Sequence, residues 1–94
     1  MAKIELKISV KKADADETWL VIDNMDVELD GQGKGACSVD SARPKHKYLI
    51  WVEGPALSSA SLEIKQGTEI LVKSKPTVAW GNSDAVEHNE FACK

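Results

Sequence analysis

What this sequence lacks narrows it before anything it contains. No stretch approaches the ~18 consecutive apolar residues that a membrane-spanning helix needs. No window of about ten residues repeats apolar positions at helical spacing without a glycine, a proline or a competing alternation. Basic residues are not in excess: 12 Lys and Arg stand against 15 Asp and Glu, a net charge of −3. A chain that neutralises many phosphates shows the opposite balance, so no nucleic-acid partner is expected. The one basic cluster, Arg43, Lys45, His46 and Lys47 around Pro44, reads as a solvated loop entering a strand. The start, Met1-Ala2-Lys3-Ile4-Glu5, alternates at once and lacks the apolar run of a signal peptide. The expected compartment is therefore the cytoplasm, with a processed secreted protein as the alternative and no membrane partner.

Cysteine is scarce too. Cys37 and Cys93 read as free thiols in a reducing compartment. The alternative is one disulfide, closing a loop long enough to contribute roughly 4 kcal/mol. At 94 residues there is no room for a (β/α)₈ barrel or a full doubly wound nucleotide-binding fold. One domain over residues 1–94 is expected, burying roughly two thirds of its unfolded surface.

What is present is period two. Ile4, Leu6, Ile8 and Val10 alternate with Lys3, Glu5, Lys7 and Ser9, the pattern of a half-buried strand. Thr18-Trp19-Leu20-Val21-Ile22 is a continuous apolar run and predicts a strand covered on both faces. Asp23-Asn24 supplies a turn, and Met25, Val27 and Leu29 predict another half-buried strand. Asp30-Gly31-Gln32-Gly33 carries the clearest hairpin signal, followed by a short strand from Lys34 to Val39. His46 to Glu53 puts Tyr48, Ile50 and Val52 on one face and Leu49 and Trp51 on the other, until Gly54-Pro55 ends it. Gln66-Gly67-Thr68 joins two strands, Ser61–Lys65 and Glu69–Lys73. Thr77 to Trp80 predicts a further strand, and Val86 to Cys93 a weakly alternating closing one. Seven to nine short strands with frequent turns predict an all-β fold: a small antiparallel β-sandwich, with a barrel as the alternative.

The chemical candidates are thin. Asp26-Val27-Glu28-Leu29-Asp30-Gly31 imitates the start of an EF-hand loop, yet Cys37 occupies the position of its bidentate glutamate. Asp26, Glu28 and Asp30 read as a solvated strand face, and Asp14, Asp16 and Glu17 as a weaker calcium alternative. His46, His88, Cys37 and Cys93 are zinc-ligand types without zinc-ligand spacing. Ser58, Ser59 and Ser61 lie in a small-residue loop with no nucleophile-elbow motif. The expectation is a non-enzymatic chain with no cofactor, no resident metal and no catalytic residue.

The tryptophans carry the functional reading. Trp19 and Trp51 are expected in the core, whereas Trp80, before Gly81-Asn82, divides evenly between core and surface. An exposed indole beside Asn82, Asp84 or His88 would suit a protein partner or the face of a sugar. Trp80, Asn82, Asp84 and His88 are the candidate binding residues, with Trp51 the second choice. The alternating strands with a central tryptophan resemble immunoglobulin-like and fibronectin-like sandwiches in architecture. The resemblance covers architecture only: the antibody pattern itself would need Cys37 and Cys93 on facing sheets with Trp51 between them, and Phe91 stands where that pattern has a tyrosine. The expected function is binding through the surface of a sandwich, to a protein or a second copy. Carbohydrate recognition, with or without calcium, is the alternative.

Overall fold

The computed structural model describes residues 2–94. Its strands are β1 (Lys3–Ala13), β2 (Glu17–Ile22), β3 (Met25–Asp26), β4 (Lys34–Asp40), β5 (His46–Glu53), β6 (Ser59–Gln66), β7 (Glu69–Ser74) and β8 (Asp84–Phe91), with no helix among the described residues. They form two antiparallel sheets, ordered β4-β1-β6-β7 and β3-β2-β5-β8, that pack as a small β-sandwich. The sheets do not close into a barrel.

Alternation places the core between the sheets. Leu6, Ile8 and Val10 from β1, with Leu62 and Ile64 from β6, meet Leu20 and Ile22 from β2 and Tyr48, Ile50 and Val52 from β5. Each of these strands has spacing-two apolar residues, so one pleated face is dry by construction. The β6–β7 hairpin forms around Gly67 as expected, with Gln66 facing Glu69.

The β2–β3 connection is a two-residue turn in which both Asp23 and Asn24 have positive φ, 49° and 65°. This matches the type I′ geometry that follows the right-handed twist of a hairpin. β3 is shorter than its alternation predicts, and because β3 and β4 lie in different sheets, Asp30–Gly33 is not the hairpin turn expected there. After the Val27 N–H bonds to the Leu20 carbonyl, the chain leaves that sheet, and the Asp30 N–H bonds to the Lys34 carbonyl beside the other. Val27 and Leu29 therefore fill the flank between the sheets rather than extend a strand. Gly33 completes that crossing at φ 79°, where an added Cβ would stand 2.0 Å from the Val10 carbonyl oxygen.

Thr77–Trp80 is likewise not a strand. Only an isolated bridge between Ser59 and Thr77 forms, and the segment bonds to the chain entering β6: Val78 N–H to the Ser58 carbonyl and Leu57 N–H to that of Val78. The largest correction concerns β2. It is covered on one face only, so Trp19 lies outside the core, 47% exposed. Trp51 is half-buried on the same outer face, which places it outside the space between the sheets.

Candidate binding face

The outer face of the β3-β2-β5-β8 sheet is built in rows by strand register. Trp19 on β2 lies opposite Trp51 on β5, which lies opposite Val86 on β8. Two residues along, the row is Val21, Leu49 and His88. The row at the other side of the tryptophans is Glu17, Glu53 and Asp84. Odd positions of β2 and β5 and even positions of β8 share this face because inward Leu20, Ile50 and Ala85 fix the parity.

The apolar rows are not covered. Leu49 is 38% and Val86 56% exposed, and no element of the described chain crosses them. The two indoles stack on each other with ring centroids 4.5 Å apart and planes 10° from parallel. Trp51 Nε1–H donates to Asp84 Oδ2 at 3.2 Å, which fixes the ring's polar edge toward the acidic row. The stack gives the face a rigid aromatic ridge, and such a pair contributes about 0.5–1.5 kcal/mol beyond its area.

Of the residues singled out in the sequence, Trp51, Asp84 and His88 meet on this face. Trp80 and Asn82 do not join them. They sit in the loop between β7 and β8, where Trp80 is 79% exposed and the Asn82 N–H bonds to the Ala79 carbonyl. That loop lies at the acidic end of the sandwich, since the Gly54 N–H bonds to the Ser83 carbonyl. Sequence reasoning missed Trp19, Val21, Leu49 and Val86. The signal was there in the register: an unbroken apolar run in β2 needs a covered outer face, and no helix or further sheet follows to cover it.

Among the described residues, the only buried histidine lies at the opposite end. His46 is fully buried, and its Nδ1 lies 2.6 Å from Asp23 Oδ2. Asp23 Oδ1 accepts the Lys47 N–H at 3.0 Å, and the Arg43 guanidinium stands 3.7 Å from it. Burial alone raises the Asp23 carboxyl, but the Lys47 N–H, the His46 ring and Arg43 together outweigh it and hold it below its ordinary value. His46 Nε2 has no hydrogen-bond partner. Burial pushes both free thiols, Cys37 and Cys93, above their ordinary range, with the Asp23 charge adding to it, so neither is activated as a nucleophile. This arrangement ties the β2–β3 turn to β5.

Among the described residues no group of three His, Cys, Asp or Glu side chains is arranged to hold a metal ion, and no helix is long and apolar enough to cross a membrane. Asp30, part of the acidic segment, instead accepts the Gln32 and Lys34 N–H groups at 2.8 and 3.0 Å, which lower its carboxyl.

Comparison with protein-family models, curated proteins and solved structures finds no match. The functional reading therefore rests on the face itself.

Proposed function

We propose that this chain is a non-enzymatic protein-binding module whose contact surface is the outer face of the β3-β2-β5-β8 sheet. The observation that carries the reading is the adjoining solvent-facing row of Trp19, half-buried Trp51 and Val86 beside Val21 and Leu49. Scattered apolar residues on a surface need no explanation, but a contiguous set on one rigid sheet marks a contact site. Tryptophan is the side chain most enriched where binding energy concentrates, because it offers a large area with few rotatable bonds. The occupant is a protein that presents apolar side chains to this ridge.

Two threonine substitutions test it. Leu49→Thr and Val86→Thr keep strand propensity and leave the core intact. Proteins retained by the wild type but not by the double variant are identified and purified, then titrated against both. An affinity lost by tenfold or more in the double variant, roughly 1.4 kcal/mol, supports the reading. Equal affinity for a purified partner rejects it.

A second reading has its own observation. The Trp80 indole, unlike the stacked pair, has both faces unshared by another aromatic ring and precedes Asn82 by two residues. That arrangement suits a sugar ring stacked on the indole with a side-chain amide on its hydroxyls. Fluorescence titration with mono- and oligosaccharides, with and without chelator, checks it. A response that vanishes in Trp80→Ala supports carbohydrate recognition, and no response to any sugar removes it.

A further inference from the structure

The face has an electrostatic feature that its own fold leaves unbalanced. Glu17, Glu53 and Asp84 occupy consecutive register positions on β2, β5 and β8, one step from the tryptophan row. Like charges directly opposite on neighbouring strands oppose folding. No lysine or arginine forms an ion pair with them: the ion pairs of the described residues involve Asp23 and Glu63, Lys12 Nζ donates to the Asp16 carbonyl, and the single side-chain hydrogen bond into the row is from the Trp51 indole to Asp84. Asp26, opposite Val21, adds a carboxylate beside the apolar rows, whereas Glu90 faces Lys47.

Resting on the protein-binding reading above, we propose that the partner is basic: its contact surface sets arginine or lysine side chains against the Glu17–Glu53–Asp84 row and apolar side chains against Trp19, Trp51 and Val86. Two terms then act on one cation. A guanidinium over the unstacked face of one of these indoles gains from the ring electrons, and its fork reaches a carboxylate one row away. The Trp51–Asp84 hydrogen bond holds ring and carboxylate in fixed relation, so the site is ordered before the partner arrives. Charge also argues against a second copy as occupant. The same face of another chain would bring its own carboxylates to the contact, with Lys47 as the one lysine on these rows to offset them. The lysines on the outside of the other sheet, Lys7, Lys11 and Lys65 among them, come with no comparable apolar ridge.

The probes are three short strand-forming peptides in which leucine alternates with arginine, with glutamate or with serine. Binding is read from indole fluorescence in a Trp80→Phe background, which leaves Trp19 and Trp51 as reporters. The arginine peptide binds, binds less tightly as salt rises, and binds roughly tenfold more weakly to Glu17→Gln/Glu53→Gln. The same double variant has a higher thermal midpoint than the wild type, because the repulsion is relieved. Equal binding of all three peptides, or unchanged affinity in the glutamine variant, overturns the basic-partner proposal. If Val86→Thr still weakens the serine peptide in that case, the binding face stands and only its charge preference falls. If Val86→Thr changes nothing, the face itself fails. A concentration-dependent doubling of mass that excludes the peptide overturns the proposal in favour of a second copy.

Discussion

Trp19 and Trp51 face each other across the β2–β5 ladder on the solvent side of the sheet, their rings 4.5 Å apart and nearly parallel. A cross-strand pair in this position stabilises the sheet and also builds the surface. The two roles separate by mutation. Trp51→Ala removes the stack and the indole hydrogen bond to Asp84, and is expected to cost about 2 kcal/mol, short of the roughly 3–5 kcal/mol of a buried aromatic. A double-mutant cycle with Trp19→Ala, measured by urea denaturation, should return a coupling of about 0.5–1.5 kcal/mol.

Trp80 supplies the contrast. At the loop tip it adds nothing to the core, so Trp80→Ala should leave stability within about 0.5 kcal/mol of the wild type. A midpoint lowered by many degrees would place the indole against the core instead.

Asp23 predicts the acid limb of stability. Its carboxyl titrates lower in the folded chain than in the unfolded one, despite burial, because the Lys47 N–H, His46 and Arg43 favour the charged form. Its contribution is complete above the unfolded value of about 3.9 and is lost as pH falls through the lower folded value. Asp23→Asn keeps a residue that tolerates φ 49° but removes the charge. It should cost about 1.5–3 kcal/mol near neutral pH, and the difference from the wild type should shrink on acidification below about pH 4. A difference independent of pH would contradict the assignment.

Two glycines test the backbone argument. Gly33 has positive φ and no room for a Cβ, whereas Gly67 has positive φ and open space around it. Gly33→Ala is expected to cost about 2 kcal/mol or more, and Gly67→Ala about 1 kcal/mol, the left-handed penalty alone. Thermal denaturation of the two variants gives the comparison.

These elements also show what the sequence reveals and what it hides. β1 is legible because strict alternation leaves one way to bury it, and the β6–β7 hairpin because Gly67 marks its turn. β2 is ambiguous, since an apolar run looks the same whether its outer face meets another layer or a partner. Trp19 was therefore expected inside the fold and lies outside it. Val27 and Leu29 alternate like a strand yet cross between sheets, a path fixed by hydrogen bonds to Leu20 and Lys34 that no local pattern encodes. In β8 the alternation is weak because Glu87 points inward, where its carboxylate accepts the hydroxyls of Tyr48 and Ser74 and closes the flank between β7 and β8. An inward charge on an edge strand also discourages edge-to-edge pairing. The candidate site was half legible: Trp51, Asp84 and His88 by residue type, and their apolar neighbours only by register.

The most direct measurement is a map of backbone and indole amide shifts on titrating the isotope-labelled chain with the leucine–arginine peptide. The account predicts perturbations centred on Trp19, Val21, Leu49, Trp51 and Val86, with the β4-β1-β6-β7 sheet unmoved. Shifts confined to that other sheet or to the Trp80 loop, or none at saturating peptide, would contradict it.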